Sequence, residues 1–214
     1  MDENILENLR QDYRAGILDE SDTLENPNDL FEKWFNEALQ AGLHEPNAMT
    51  LASVDGSGQP SARIVLLKGF SQKGFVFYSN YSSRKGLEMQ TNPKAALLFY
   101  WGELERQIRI GGIISKLSKE ESINYFNSRP RSSRIGAIVS PQSQIIPNRT
   151  FLDDKWKKLE NNLKEDEIIK PENWGGYLLK PIEFEFWQGR SSRLHDRIQY
   201  SLKDNVWVRV RLAP

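Results

Sequence analysis

The sequence predicts a mainly antiparallel β fold with flanking helices, organised as a small barrel with the helices packed outside. Short runs of apolar, aromatic and β-branched residues recur along most of the chain, and such runs are typical of strands. The segments between them are short and rich in glycine, aspartate and asparagine, which favours tight turns and antiparallel pairing. Helical segments occur without the regular strand–helix alternation that parallel sheets require.

Length and composition indicate one globular domain over residues 1–214. The chain is 38% hydrophobic and 27% charged, and its formal net charge is zero. A balanced charge argues against a nucleic-acid or membrane partner, so any anion site must be a local cluster. Absence of cysteine excludes disulfides and thiolate chemistry, and two histidines predict no metal site. Without an apolar leader or membrane-spanning run, the expected location is the cytoplasm.

The N-terminal helical segment, about residues 1–42, contains one helix that apolar periodicity predicts. Apolar residues from Leu30 to Leu39 repeat at the spacing of one helix face. Asn26-Pro27 is a typical helix start, and Gly42 is a typical end. We expect this segment to pack on or over the functional site.

Eight runs further along the chain are predicted strands, because each is rich in strand-forming residues and bounded by turn residues. They cover residues 48–54, 61–70, 74–80, 95–101, 106–117, 176–188, 197–202 and 206–212. Two helices are predicted among them. Ser118 and Glu121 have the spacing of a capping box ahead of the first, and the apolar residues of 151–167 share one face of the second.

Clusters of cationic and hydroxyl side chains are the candidates for chemistry, because common nucleotide and hydrolase motifs are absent. The first cluster, Arg63–Lys68, lies in a predicted strand. Alone it favours a central strand whose charged ends reach solvent. The second, Tyr78–Gly86, joins a strand end to a helix start, where hydroxyls, free N–H groups and Arg84-Lys85 suit a phosphate. A helix cap followed by solvated bases is an equal alternative.

The third cluster, Tyr125–Arg134, carries three arginines and several hydroxyls around a helix break at Pro130. Arginine forks match phosphate oxygens, and the three arginines are expected to have no nearby acid. Three such cations are costly unless a ligand neutralises them. A solvated basic turn between helices is an alternative of about equal weight.

The fourth cluster, Gly189–Arg197, surrounds a histidine with arginines. As a strand it would place Arg193, His195 and Arg197 on one face, which is too polar for a core. As a helix it would move His195 off that face, but the strand-like residues that follow favour the extended form. Arg190 falls in the preceding turn, and its replacement by alanine is expected to be nearly silent.

Taken together, these motifs resemble the pyridoxamine 5′-phosphate oxidase family of FMN enzymes. RIVLLK, SRKG, LERQ, YFNSRPRSS, WGGY, EFWQG and RLHDR occur in the family's order and approximate spacing, from LRQDY near the N-terminus to RLAP at the end. The resemblance implies an FMN-binding split β-barrel that works as a homodimer with FMN at the interface. It implies no nucleic-acid or membrane partner.

The activity implied by the resemblance is oxidation of pyridoxamine 5′-phosphate and pyridoxine 5′-phosphate to pyridoxal 5′-phosphate, in vitamin B6 biosynthesis and salvage. Hydride would pass to FMN, and O2 would accept the electrons to give hydrogen peroxide, with ammonia released from the amine. The alternatives are another split-barrel FMN oxidoreductase and a non-catalytic binder of FMN or pyridoxal phosphate.

The same resemblance assigns residues to each ligand, some of them from the other subunit. The cofactor residues are Arg63, Ile64, Val65, Leu66, Leu67, Lys68, Tyr78, Ser79, Arg84, Lys85, Gln107, Gln142, Ser143, Trp187 and Arg197. The substrate residues are Arg10, Tyr13, Lys68, Tyr125, Arg129, Ser133, Arg193, Leu194 and His195. Arg193 and His195 are the catalytic candidates. Arg63, Arg84 and Lys85 match the ligands of the FMN phosphate.

Overall fold

The computed structural model of the chain describes Leu9 and residues 11–214, so the predicted site residue Arg10 lies outside the described residues. Within this part, the α-helices span Pro27–Gln40 (α1), Arg84–Thr91 (α2), Lys119–Ser128 (α3), Arg131–Val139 (α4) and Thr150–Asn162 (α5). The strands span Ala48–Val54 (β1), Pro60–Leu66 (β2), Gly69–Ser71 (β3), Gly74–Asn80 (β4), Lys94–Trp101 (β5), Arg106–Lys116 (β6), Trp174–Gln188 (β7), Asp196–Lys203 (β8) and Val206–Leu212 (β9). No helix of the described part is long and apolar enough to cross a membrane.

The strands pair in the order β2-β1-β5-β6-β7-β4-β3, and β8 pairs with both β7 and β9. The pairings β3–β4, β4–β7, β7–β8 and β8–β9 are antiparallel, as the short connections predict. Tyr78 lies opposite Gly176 in the β4–β7 register, and Trp187 lies opposite Arg197 in the β7–β8 register. These registers set where the candidate site residues leave the sheet.

Side-chain caps fix two helix starts at the predicted places. The Asn26 side chain accepts the backbone N–H of Asn28 at 3.0 Å in the first turn of α1. At α3, Ser118 Oγ accepts the N–H of Glu121 at 3.1 Å, and the Glu121 carboxylate accepts the N–H of Ser118 at 3.0 Å. This reciprocal pair is the capping box that the sequence predicts.

The chain divides into two compact units, each with its own apolar core. The first unit contains the residues up to Thr50, 96–111 and 181–214, and the second contains 51–95 and 112–180. In the first unit, α1 buries the face that its periodicity predicts. Phe31 packs edge-on against Phe99 and Trp34 against Phe186, with ring centroids 5.2 and 5.3 Å apart.

The core of the second unit joins α3 and α4 to the start of β7. Its buried cluster consists of Phe126, Ile135, Val139, Ile168 and Trp174, and residues of α5 pack against it. Buried aromatic side chains of this size contribute much of a domain's apolar stabilisation. The cluster also holds Trp174 against the helices that carry the third cationic cluster.

The structure differs from the prediction at the histidine-containing stretch. Ser191–Arg193 form a 3₁₀ turn, and β8 begins only at Asp196. Ser192 and Arg193 have φ angles of 56° and 59°, in the left-handed region that non-glycine residues seldom adopt. Two such residues in succession turn the chain and break the strand period. The predicted strand face shared by Arg193, His195 and Arg197 is therefore wrong.

Pro130 lies at a break between two helices, as the sequence predicts. It occupies the N-cap position of α4, and residues 131–139 are helical. Proline is well tolerated at a helix start, because the first N–H groups have no partner within the helix. The helix predicted over 151–167 ends earlier, at Asn162.

Candidate active site

The second unit contains a cavity of about 840 Å³, a volume typical of small-molecule and cofactor sites. It is lined by Arg63, Ile64, Val65, Leu66, Lys68, Tyr78, Ser79, Asn80, Lys85, Tyr125, Arg129, Pro130, Ser133, Gly136, Ala137, Ser140, Gln142 and Trp174. The cavity thus brings together most of the site residues that the sequence predicts within this unit.

The lining of this cavity is cationic. Arg63, Lys68, Lys85 and Arg129 face it, and among the described residues that line it there is no aspartate or glutamate. Like charges raise each other's energy when they share a partly desolvated space, so this set is stabilised by an anion. Arginine and lysine side chains together with serine hydroxyls match phosphate oxygens in particular.

Lys85 lies in the first turn of α2 and directs its ammonium group to Gln142. Its Nζ is 3.1 Å from Gln142 Oε1 and 3.4 Å from Ser83 Oγ, and Ser79 donates to the same amide oxygen at 3.2 Å. Burial, and next the positive charge of Arg63, lower the pKa of Lys85. A bound anion would offset both effects, because it favours the protonated amine.

Arg63 is bound by a buried carboxylate, Glu88, that sequence analysis misses. Arg63 Nη2 donates to Glu88 Oε2 at 3.0 Å, and the hydroxyls of Ser53 and Ser61 each donate to that oxygen at 2.6 Å. Arg84 Nε donates to Oε1 at 2.9 Å. Burial raises the pKa of Glu88, but these hydrogen bonds outweigh burial and lower it to about 2. The available sequence signal was the i,i+4 spacing of Arg84 and Glu88.

Arg129 ends α3 against a stack of aromatic rings. Tyr78 and Tyr125 stack with centroids 3.7 Å apart, and Tyr125 is parallel to Trp174 within 3°. The guanidinium carbon of Arg129 lies 4.8 Å from the Trp174 ring centroid, within range of a cation–π interaction. Arg129 Nη1 is buried without a hydrogen-bond partner, and burial lowers the pKa of Arg129. An unpaired buried donor of this kind indicates a missing acceptor.

The other two arginines of the third cluster have protein partners. Arg131 binds the carboxylates of Glu160 and Glu165, and Arg134 binds Glu165. These acids follow the arginines by about thirty residues, as their sequence separations of 29, 31 and 34 show. The expectation that all three arginines lack nearby acids is therefore wrong, and Arg129 alone of the three lines the cavity.

The first unit contains a separate cluster of aromatic rings around His195. Its ring centroid lies 4.6 Å from that of Trp187 and 5.6 Å from that of Tyr13, and Tyr13 meets Trp187 edge-on at 5.7 Å. His195 Nδ1 accepts the backbone N–H of Arg190 at 3.1 Å. A neutral imidazole held in this way carries its proton on Nε2, which leaves that atom as a donor.

Arg197, two residues after this histidine, is held by a buried acid, Glu185. Its Nε and Nη2 donate to the two oxygens of Glu185 at 3.1 and 3.0 Å, and Arg109 approaches the same carboxylate at 3.2 Å. The hydrogen bonds to Glu185 raise the pKa of Arg197. Arg197 is thus fixed in a bidentate pair, whereas Arg193 is exposed on the left-handed turn. Backbone strain of this kind is frequent at functional sites.

Replacing Arg190 with alanine is expected to lower the free energy of unfolding by less than about 1 kcal/mol. Its side chain pairs with Asp196 at 3.2 Å in a partly exposed position, whereas its contact with His195 uses the backbone N–H, which alanine keeps. Urea unfolding followed by tryptophan fluorescence measures the change. A loss of several kcal/mol would show that the side chain, and not the backbone, supports the turn.

Several predicted residues lie outside the large cavity. Leu67 is buried between β2 and β3, while Arg84 and Ser143 line a neighbouring cavity of about 530 Å³. Gln107 lies on β6 and Leu194 is exposed after the 3₁₀ turn. Their assigned roles stay predictions. Conversely, the cavity includes residues that sequence analysis missed, namely Asn80, Pro130, Gly136, Ala137, Ser140 and Trp174.

Two family models cover most of the chain. The model described as pyridoxamine 5′-phosphate oxidase matches residues 35–162, more than half of the sequence. The chain belongs to the pyridoxamine 5′-phosphate oxidase family. A second model, described as the C-terminal dimerisation region of pyridoxine 5′-phosphate oxidase, matches residues 174–214. Membership confirms the predicted class, an FMN-dependent oxidoreductase.

Curated relatives match this chain over nearly its whole length. The pyridoxine/pyridoxamine 5′-phosphate oxidase of Polynucleobacter asymbioticus is 53% identical over 206 residues, covering 96% of this chain and 97% of the relative. The protein of the same name from Leptospira interrogans is 51% identical and covers 100% of both chains. Similarity at this level includes both compact units.

Solved structures confirm the predicted fold class, the FMN-binding split barrel of this family. PhzG from Burkholderia lata, solved with tetrahydrophenazine-1-carboxylic acid, superposes with a TM-score of 0.86 at 29% identity, over 92% of this chain and 98% of that chain. An FMN-binding protein from Nostoc punctiforme, related to pyridoxamine 5′-phosphate oxidase, gives 0.70 at 19% identity, over 86% and 97%. The second likeness supports the fold alone.

Proposed function

We propose that the chain oxidises pyridoxine 5′-phosphate and pyridoxamine 5′-phosphate to pyridoxal 5′-phosphate, with FMN as cofactor and O2 as electron acceptor. The products would include hydrogen peroxide and, from the amine, ammonia, which leaves when water hydrolyses the imine formed by the oxidation. The observation that carries this proposal is the cavity lined by Arg63, Lys68, Lys85 and Arg129 without a lining carboxylate among the described residues. A flavin nucleotide and a phosphorylated pyridine together bring two phosphates, which would complement the charges of this set, in which Arg63 is also paired with Glu88.

The residues around Lys85 fit the cofactor. FMN, when bound, accepts the two electrons removed from the substrate and passes them to oxygen. Lys85 would bind its phosphate and Arg63 would attract it by charge, and the hydroxyl of Ser79 and the amide of Gln142 offer further hydrogen bonds within the same cavity. Residues 64–66 of β2 line the same cavity. The protein thereby supplies orientation and charge to the cofactor.

The residues around Arg129 fit the phosphate of the substrate. Arg129 offers its unpaired Nη1, and Lys68, Tyr125 and Ser133 line the same cavity. The Trp174 ring limits the positions that the guanidinium group can take. A cation over an aromatic face loses the stabilising cation–π interaction when it moves away from the ring. We propose that this group selects phosphorylated over unphosphorylated substrates.

Within the first unit, Arg193 and His195 are proposed to act on the pyridine ring of the substrate. His195 would donate from Nε2 to a ring substituent, since its Nδ1 is occupied by the Arg190 N–H. Arg193 would hold the ring and stabilise negative charge that develops during oxidation. Tyr13, which packs on His195 and Trp187, would cover the bound substrate together with Arg10.

We extend the proposal to the assembly and its location. A homodimer with FMN at its interface is supported by the match of residues 174–214 to the family's dimerisation region. The organisation of residues 1–214 as one domain and the cytoplasmic location stay predictions. Light scattering of the purified protein measures its oligomeric state directly and so tests the homodimer.

Replacing Trp174 with phenylalanine is expected to raise KM for pyridoxine 5′-phosphate about 3- to 10-fold while kcat changes little. A smaller ring keeps an apolar side chain in the core but weakens the cation–π contact with Arg129. Steady-state kinetics measures the split between KM and kcat. Trp156→Phe is the matched control, because Trp156 packs against the same core. An equal rise of KM in both variants would contradict a specific contribution of Trp174.

The proposed function is tested by purifying the protein, reconstituting it with FMN and adding either vitamer under air. Formation of pyridoxal 5′-phosphate with an equal amount of peroxide is the expected result, and pyridoxamine 5′-phosphate should also release ammonia. A flavin-loaded protein that turns over neither substrate would favour a binder. Turnover of a different substrate class would favour another split-barrel oxidoreductase. A protein that does not bind FMN would overturn the proposal.

A further inference from the structure

Glu88 is a buried acid that contacts two arginines beside the cavity of the second unit. Its side chain is 4% exposed, and it is not among the described residues that line the large cavity. We infer that Glu88 is a positioning residue that holds Arg63, and with it the local positive charge, in place for the phosphate of FMN. This inference rests on the proposed function and deepens it.

The hydrogen bonds around Arg63 form a closed cage. Its Nη1 donates to the Leu51 carbonyl, at 3.2 Å, and to Ser53 Oγ, while its Nη2 donates to Ser61 Oγ and to Glu88. The two hydroxyls donate in turn to Glu88 Oε2. Every terminal N–H of Arg63 therefore has a protein acceptor, and the guanidinium plane is fixed by four partners.

These hydrogen bonds determine which groups of Arg63 are available to bind an anion. Because the hydrogens of both terminal nitrogens are already used, Arg63 offers an anion in the cavity its positive charge rather than a free pair of N–H donors. The other donor is Lys85, whose Nζ hydrogen-bonds, among the described residues, to the neutral side chains of Gln142 and Ser83. Arg63 thus acts mainly as a fixed charge, and Lys85 supplies the adjustable contact to the phosphate.

Glu88 also balances the repulsion between these two cations. Arg63 lowers the pKa of Lys85, after burial, and the negative charge of Glu88 opposes this effect. Without that carboxylate, Arg63 would lose its only anionic partner among the described residues and would repel Lys85 without compensation. The loss of binding free energy would therefore concern the phosphate of FMN and not its isoalloxazine ring.

The test compares FMN with riboflavin, which lacks the phosphate. Apoprotein of the full chain is titrated with each flavin, and quenching of flavin fluorescence gives the dissociation constants. For Glu88→Ala we expect FMN affinity to fall about 10-fold or more, with riboflavin affinity changed less than about 2-fold. Glu88→Gln, which keeps the shape and one acceptor oxygen, should recover part of the loss.

The matched control is Glu165→Gln, which removes a carboxylate from another arginine cluster of the same unit. Its affinities for both flavins should equal those of the wild type. Unchanged or stronger FMN binding by both Glu88 variants would overturn the inference, as would an equal loss for FMN and riboflavin in the folded Glu88→Gln protein. Failure of the wild type to bind FMN would instead overturn the proposed function.

Discussion

Replacing Arg129 with alanine is expected to lower kcat/KM for pyridoxine 5′-phosphate by about 100-fold or more, mainly through KM. The guanidinium group lies over Trp174, its Nη1 has no hydrogen-bond partner, and Arg129 lines the cavity, so we propose that it binds the substrate phosphate. Two charge-assisted hydrogen bonds to a phosphate would account for a change of this size. Arg129→Lys should recover little, because an ammonium group cannot reproduce the planar fork over the indole.

The measurement is steady-state kinetics with pyridoxine 5′-phosphate and with unphosphorylated pyridoxine. The ratio of the two kcat/KM values should fall in Arg129→Ala, because only the phosphorylated substrate loses a contact. Arg131→Ala is the matched control, since Arg131 is bound to Glu160 and Glu165 instead of lining the cavity. If Arg129→Ala leaves that ratio unchanged, Arg129 does not bind the substrate phosphate.

Replacing His195 with asparagine is expected to lower kcat about 10-fold or more while FMN content stays at the wild-type level. Asparagine can place an acceptor near the position of Nδ1, which keeps the contact with the Arg190 N–H. It has no group at the position of Nε2, and it loses the ring contact with Trp187. The loss therefore reports what Nε2 and the ring contribute to turnover.

His195→Gln separates these two contributions, because its longer side chain reaches the position of Nε2 without restoring the aromatic ring. Higher kcat in the glutamine variant than in the asparagine variant would support a donor role for Nε2. The measurements are kcat by product formation and FMN content by absorbance after denaturation. Wild-type kcat in the asparagine variant would rule out a role of His195 in turnover.

Local chemistry predicted much of the fold because it acts over a few residues. The strands Ala48–Val54 and Gly74–Asn80 have the predicted bounds, since turn residues flank each of them. The exceptions also have local causes. Left-handed Ser192 and Arg193 end the extended run before β8, and no residue type in that stretch marks this conformation as glycine would.

The sequence predicted those residues of the candidate site whose own side chains belong to a recognisable motif. Lys85 and Arg129 both lie in quoted motifs, and both line the cavity. What the sequence could not show is which cations already have partners. Arg131 is neutralised by an acid 34 residues later, and Arg63 by one 25 residues later. These two pairs depend on tertiary packing. Apart from the i,i+4 spacing of Arg84 and Glu88, nothing near Glu88 or Glu165 in the sequence indicates an arginine partner.

The central claim is that the reconstituted protein oxidises a phosphorylated B6 vitamer with its flavin. The most direct measurement is anaerobic mixing of the FMN-loaded protein with pyridoxine 5′-phosphate, followed by the absorbance of oxidised flavin. We expect that absorbance to disappear in a single turnover, with an equal amount of pyridoxal 5′-phosphate formed, and to return when oxygen is admitted. Persistence of the oxidised spectrum with saturating substrate would contradict the account.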